Sequence, residues 1–357
     1  NEKEYGPRTI THDSRPSKMP YEWTQEVWCA RKAMAFIEQD PDTPFCIQIA
    51  FQKPHHPLLP VQRFWDLYPE DLDVPETADL EPGHRPPHFQ RVWRSFRTMR
   101  WDFGGPGEGF EEGVRRAWRG TLACVSQIDE VFGTLLDFLE ERGLSENTIV
   151  VYGSDHGCYH TIHGLPEKAP GICSDAVCRV PMIWRVPGGP AGQVRHDLVE
   201  NVDMAPTLVS LCGLPPMETV DGCDLSGLVR DGDGRGKDVA VTENVWSRSV
   251  RWGPWRLVHY QPELFDGEQP GELYNLEDDP LETRNLYDDP AYAERVAEGR
   301  RLLLEWLIRT LRVVTAHPAV CEGERLSGSR LYPVAGDGHA PNSVQPRHRR
   351  EYPDNYL

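Results

Sequence analysis

Two features are missing from this 357-residue sequence: an apolar run long enough to cross a bilayer, and a cationic-then-apolar leader at its start. The first absence argues against a membrane-spanning helix. The second, together with the polar stretch Asn1 to Arg15 and the lack of an initiator Met, reads as a cut or processed N-terminus, with a lost leader left open. Positive charge is also scarce. Against 38 Lys and Arg stand 56 Asp and Glu, a formal net charge of -18. That balance argues against nucleic acid or an anionic membrane as a partner, and an anionic substrate would need local cations to overcome the background field.

Internal repeats and low-complexity tracts are absent. The 9 cysteines (Cys29, Cys46, Cys124, Cys158, Cys173, Cys178, Cys212, Cys223 and Cys321) form no C-x-x-C pair and no zinc-finger spacing. An odd, scattered set suits reduced, mostly buried thiols and a cytoplasmic setting, with a periplasmic or secreted one left open. Cys173 and Cys178 are the pair that would bridge in an oxidising compartment.

What remains is a globular composition, 39% hydrophobic and 26% charged, long enough for one large domain or two unequal ones. Trp23, Val27, Ala30, Met34 and Ile37 recur at helical spacing between Tyr21 and Gln39, before Pro41 and Pro44. The run Phe45 to Phe51 predicts a buried strand that ends in Lys53-Pro54-His55-His56-Pro57. Tyr68 to about Pro106 is Pro- and charge-rich and reads as a long surface excursion. A helix over Gly113 to Arg142 follows, with Leu122, Val125, Ile128, Phe132, Leu135 and Leu139 as its stripe and Gly143 to close it.

Thr148 to Gly153 predicts a second buried strand, ending at Ser154-Asp155-His156-Gly157; Val180 to Val186 predicts a third and Asp238 to Thr242 a fourth. Met204 to Cys212 reads as a short helix with Asp203 as N-cap and Gly213 as its stop. The alternation predicts an α/β fold, a sheet flanked by helices, over residues 1–244 and incomplete at its N-terminus. A small C-terminal α+β subdomain is expected over 245–315. It has a hairpin at Gly253-Pro254, a strand at Glu272 to Leu276 and a helix from Ala291 to Val314, before a polar tail at 316–357.

Two loops carry the candidate chemistry, because each follows a predicted strand where α/β sheets place their sites. One is Lys53 to Pro57. The other starts at Ser154-Asp155-His156-Gly157 and continues through His160 and His163 to Lys168. An Asp-His-Gly alone is weak evidence, since His and Asp at a turn are more often a cap and a surface imidazole. The ordered combination says more. Strand, Lys-Pro-His-x-Pro, long helix, strand, Ser-Asp-His-Gly, Lys168 and Val180-Pro181-Met182-Ile183 together resemble the sulfatase family of the alkaline-phosphatase superfamily. The iduronate- and choline-sulfatase-like branches come nearest. Asn201 to Leu208, and Glu272 to Leu276 with Asp279-Pro280 and Asn285-Leu286, are similar to the same family, so the resemblance covers about residues 20–310.

The resemblance implies an alkaline-phosphatase-like sheet and hydrolysis of sulfate monoesters. Asp155 and His156 would bind a divalent metal, calcium by the family's habit, with magnesium and manganese open because imidazole suits transition metals better. His55 would contact the sulfate and help the leaving oxygen depart, and Lys168 would hold a sulfate oxygen. His56 and His163, like His160, would stand behind these groups. The implied substrate is a small-molecule or sugar sulfate ester. Trp93, Arg94, Arg97 and Arg100 could face it, although a solvated basic surface is the plainer account.

The family's nucleophile is a Cys or Ser within C/S-x-P/A-x-R, oxidised to formylglycine, and an early Asp-Asp pair completes its metal site. No cysteine here fits. Cys321-Glu322-Gly323-Glu324-Arg325 has Gly323 in place of Pro or Ala and lies in the tail, and Asp278-Asp279 sits in the wrong context. The chain alone is therefore expected to be inactive and to need a complementing N-terminal segment or an oligomer. A phosphodiesterase or phosphonate monoester hydrolase of the same superfamily, and a non-catalytic degenerate homologue, are the alternatives.

Overall fold

The computed structural model describes residues 14–310 apart from 41, 82, 84, 99–108, 166–167, 169–172, 218–219, 245 and 262–268. The expected tail, the Cys321 motif and the Arg97 and Arg100 side chains lie outside the described residues.

Helix α1 (Gln25–Gln39) buries Val27, Ala30, Ala33 and Ile37. Trp23 was expected on the same stripe but is 65% exposed. Tyr21–Trp23 is a separate 3-10 turn and Thr24 is extended (φ -65, ψ 151), so Trp23 is out of phase with the helix. After α1 the chain runs extended through Phe45 to Phe51, with Phe45, Ile47, Ile49 and Phe51 half-buried and Cys46, Gln48 and Ala50 exposed. This corrects the predicted buried strand: the segment has one face on the core and no ladder partner among the described residues.

A short helix α2 (Gln62–Trp65) leads into the stretch read as a surface excursion, which carries helix α3 (Pro87–Thr98). Phe89 of α3 is fully buried against Tyr159 and Leu165, so the excursion contributes to the core. Helix α4 (Phe110–Glu141) runs for 32 residues and buries Val114, Ala117, Cys124, Ile128, Val131, Leu135, Phe138 and Leu139. The buried stripe passes through Cys124, which leaves Val125, an expected core residue, 43% exposed. Gly143 (φ 68) closes α4 as predicted: its N–H donates to Glu140 O, and Leu144 N–H donates to Leu139 O. Against α4, Val27, Ala30 and Ala33 meet Val131 and Leu135, with Ile47, Ile49 and Phe51 beside them.

Strand β1 (Val150–Gly153) pairs antiparallel with β2 (Met182–Arg185), Val151 opposite Trp184. Between them lie the site loop and the single-turn helix α5 (Asp175–Cys178), with Ser174 Oγ accepting from Ala176 N–H. Helix α6 (Met204–Leu211) ends at Gly213 (φ 67). Asp203 does not cap it, as had been expected. Its carboxylate turns back to accept from Glu200 N–H (2.8 Å), Cys223 N–H (2.7 Å) and Lys237 Nζ (2.8 Å).

The second sheet is antiparallel in chain order: β3 (Val239–Glu243), β4 (Ser247–Trp252), β5 (Trp255–Tyr260) and β6 (Gly271–Asn275). The β4–β5 hairpin turns at Gly253-Pro254 as predicted, with Trp252 opposite Trp255. Strand β3, read from sequence as part of the main sheet, instead pairs with β4. Helix α7 (Ala293–Thr310) covers this sheet, placing Val296 and Leu303 on Val250, Trp252, Leu257 and Leu273. A Cβ at Gly299 would come within 2.8 Å of Trp252, so this contact depends on glycine.

Candidate active site

The first site loop is fastened before it reaches its histidines. Lys53 Nζ donates to Glu26 Oε2 on α1 at 2.9 Å, and Gln127 Nε2 on α4 donates to the same oxygen at 3.0 Å. Gln127 Oε1 accepts from Val61 N–H at 2.9 Å, so one buried network holds both ends of the loop. Glu26 is 1% exposed, which makes this pairing obligatory: an unpaired carboxylate there would carry a large desolvation penalty. His55 stands exposed at the tip. Its Nδ1 lies 2.7 Å from His56 O. A carbonyl only accepts, so Nδ1 carries the proton and Nε2 faces outward. Lys168 Nζ lies 3.2 Å from that Nε2, which brings together the two residues expected to act on the ester.

The second loop leaves β1 at Gly153. His156 N–H donates to Asp155 Oδ1 (2.9 Å), Ser154 Oγ donates to His156 O (2.9 Å), and Asn201 Nδ2 donates to Ser154 O (2.8 Å). Gly157 N–H donates to Val177 O at 2.8 Å, and a Cβ at Gly157 would fall 2.2 Å from Ala176 O. Only glycine lets this loop seat against α5.

The donor set fits a cation. His156 Nδ1 lies 2.9 Å from Gly157 O and must donate there, which leaves the Nε2 lone pair of the neutral ring facing Asp155 Oδ2 at 3.3 Å. Two lone pairs facing each other at that distance call for a positive species between them, either a proton or a metal ion. The Asp155 carboxylate is 83% exposed and open to further ligands. Its hard oxygen suits calcium, magnesium or manganese, and the imidazole leans toward the last.

Burial separates the remaining histidines. The His56 ring stacks on His160 with centroids 5.7 Å apart, which joins the first loop to the second. His163 is buried. Thr77 Oγ1 accepts from its backbone N–H (3.2 Å), Arg85 donates to its Nδ1 (3.2 Å), and Phe89 and Tyr159 pack against its ring. Burial first, and then the neighbouring Arg85, push the His163 imidazole down to about 3, so it is a neutral acceptor at physiological pH. Trp93 is half-buried beside Phe89 and Leu165, and Arg94 is exposed.

Several supporting residues gave no sequence signal. Arg85 and Arg256 are buried among carboxylates: Arg256 Nη1 donates to Glu282 Oε1 at 2.8 Å and pairs with Asp175, while Arg85 bonds Glu282 O and faces Glu272 Oε2 at 3.8 Å. This network locks α5, the wall behind Gly157, to β5 and β6. Cys173 and Cys178, the pair considered for a bridge, are both free thiols.

Fold and site together define an alkaline-phosphatase-like protein. Within that superfamily the chain belongs to the sulfatase family, whose profile matches residues 6–214; the profile "N-sulphoglucosamine sulphohydrolase, C-terminal" matches residues 171–307. The chain is 31% identical over 257 residues to a choline-sulfatase of Rhizobium meliloti (strain 1021), covering 69% of this chain and 47% of that protein. Iduronate 2-sulfatase of Mus musculus is 26% identical over 329 residues, covering 69% of this chain and 58% of that protein. The solved phosphonate monoester hydrolase SpPMH from Silicibacter pomeroyi shares the fold, with a TM-score of 0.73 at 19% identity, covering 87% of this chain and 67% of that one. The chain spans about half the length of the curated relatives it matches.

Proposed function

We propose that this chain supplies the leaving-group and metal-binding side of a hydrolase that cleaves sulfate monoesters of small molecules or sugars. The observation that carries this is the convergence of Lys168 Nζ on His55 Nε2, on a loop joined through the His56–His160 stack to the loop of Asp155 and His156. Cleavage of a sulfate ester gathers negative charge on the bridging oxygen and on the peripheral sulfuryl oxygens. The Lys168 ammonium stabilises a peripheral oxygen. His55 Nε2, which carries no proton in the Nδ1–H tautomer, first takes one up from solvent and, as the imidazolium, passes it to the departing alkoxide. A divalent metal at Asp155 and His156, calcium by the resemblance, would supply Lewis-acid stabilisation of the same charge.

In this reading the attacking group is a formylglycine contributed from outside these 357 residues, because neither a cysteine nor a serine here lies in the required motif. The chain alone then has negligible turnover. A cytoplasmic setting belongs to the same reading, with a periplasmic or secreted one as the alternative.

The test joins the chain to its nucleophile-bearing segment and compares hydrolysis of an aryl sulfate with that of an aryl phosphonate monoester, with and without divalent cation. Metal-dependent sulfate turnover that falls in Lys168→Ala supports the proposal. A clear preference for the phosphonate ester would move the assignment to a phosphonate monoester hydrolase, and no turnover of either would leave a non-catalytic homologue.

A further inference from the structure

Beside the Asp155–His156 pair lies a second group of ligand-type side chains with different chemistry. His56, Cys158 and His160 each offer one ligand atom, and the three atoms lie within 4.8 Å of one another, the one such group of three among the described residues. We infer that His56, Cys158 and His160 bind a zinc ion that staples the two site loops together, separately from the cation at Asp155 and His156.

The ligand chemistry selects the ion. One thiol and two imidazoles are soft to borderline donors, which suit zinc and are poor partners for calcium or magnesium. Zn–N of about 2.0 Å and Zn–S of about 2.3 Å imply ligand atoms roughly 3.4–3.6 Å apart in a tetrahedron. Atoms within 4.8 Å of one another reach that spacing by a contraction of at most about 1.4 Å, within reach of side-chain rotation on a fixed backbone.

That backbone is held from several directions. His56 lies two residues before fully buried Leu58, and its loop is anchored through Lys53 and Glu26. Cys158 sits between Gly157, bonded to Val177 O, and fully buried Tyr159. His160 (φ 44) and Thr161 (φ 78) are consecutive non-glycine residues in the left-handed region, a conformation strained for any side chain with a Cβ. The Thr161 N–H bond to Leu165 O (2.9 Å) holds the turn, and the turn holds the His160 ring 5% exposed, edge-on to Trp118.

His160 also has the outer partner that metal-binding histidines use. Thr121 Oγ1 on α4 lies 3.0 Å from His160 Nε2, a contact that fixes the orientation of the ring. His56 comes from the first loop, while Cys158 and His160 come from the second. A shared ion would therefore fix the distance between His55, next to His56, and the residues that follow β1. Three protein ligands leave a fourth position for water, the usual coordination of an open zinc site.

The experiment uses the 357-residue chain, stripped of metal and titrated with zinc against a chromophoric chelator, then loaded with cobalt(II) as a spectroscopic stand-in. One equivalent of zinc should bind. The cobalt form should show a thiolate-to-metal charge-transfer band in the near ultraviolet. Cys158→Ser should abolish the band and weaken zinc at least about 100-fold, since two imidazoles leave the ion mostly hydrated. Asp155→Ala should leave the zinc affinity and the band in place. Cobalt binding to the unmodified chain without a thiolate band would overturn the proposal whether or not the variants fold. So would zinc binding that survives Cys158→Ser but is lost in Asp155→Ala.

Discussion

Lys168 Nζ stands 3.2 Å from His55 Nε2 although 113 residues separate them in the chain. Because His55 Nδ1 is committed to the His56 carbonyl, Nε2 is the nitrogen that meets Lys168 and the only one free to exchange a proton with substrate. The pair should therefore act as a unit. In the enzyme joined to its nucleophile segment, His55→Ala is expected to lower kcat about 10²–10⁴-fold for substrates with poor leaving groups and much less for an activated aryl sulfate. Lys168→Ala should lower kcat for both. Steady-state kinetics on the two substrate classes checks this; equal losses for His55→Ala on both would remove His55 from the proton-transfer role.

Asp155 Oδ2 and His156 Nε2 lie 3.3 Å apart on an exposed loop, a gap that a proton or a metal ion can bridge, and the proposed function requires the metal ion. Chelation is expected to abolish turnover of the joined enzyme, and added divalent ion should restore it. Asp155→Asn keeps the shape but removes the charge. It should raise the metal concentration needed for half-maximal activity by about tenfold or more, because hard cations are held chiefly by carboxylate charge. An unchanged metal titration in Asp155→Asn would place the cation elsewhere.

The local parts of this arrangement were legible in sequence. The end of α4 followed from Gly143, and the β4–β5 turn followed from Gly253-Pro254, because backbone conformation at those points is decided by one or two residues. The two candidate loops stand out in sequence because polar residues directly follow apolar runs, and the structure brings His55 and Lys168 together from them. Phe45 to Phe51 was misread as wholly buried, although its aromatic and branched residues already alternate with Cys46, Gln48 and Ala50, the pattern of a strand with one covered face. Asp203 stands where an N-cap belongs, yet its carboxylate is taken by Lys237 and Cys223, partners that only the tertiary fold supplies. Arg85, Arg256 and Glu282 were invisible for the same reason: a charged residue reads as surface until its buried partner is known.

His163 makes the stability of the fold depend on pH. Its imidazole is held down to about 3 in the folded chain, against 6.5 for the free group, by burial and then by Arg85. Between those values the unfolded chain takes up a proton that the folded chain refuses. The contribution is therefore fully present above pH 6.5 and is lost progressively as pH falls toward 3. Two pH units below 6.5 this amounts to roughly 2–3 kcal/mol. Denaturant unfolding at neutral pH and near pH 4.5 should show that difference, and His163→Gln, which keeps an acceptor for Arg85 but cannot be protonated, should remove it. The same slope in both proteins would assign the acid sensitivity to other groups.

Arg256 is the residue whose loss should harm the fold most. It is 4% exposed and neutralises two carboxylates, Asp175 at the start of α5 and Glu282, itself 1% exposed. Burial pushes the Glu282 carboxyl up and Arg256 pulls it back, so the ion pair survives only while both partners are present. Arg256→Met fills a similar volume but removes the cation shared by Glu282 and Asp175, leaving only Arg251, 3.9 Å from Asp175, and Arg85, which bonds the Glu282 backbone carbonyl, and should cost about 3–5 kcal/mol by urea unfolding. Glu282 would then rise further and take a proton, so the loss should shrink as pH is lowered through the carboxylate range. Adding Glu282→Gln to Arg256→Met should recover a large part of the stability, because the remaining cost is that of one unpaired charge. If the double variant is as unstable as the single one, the penalty lies in packing around Arg256 and the carboxylate is a bystander.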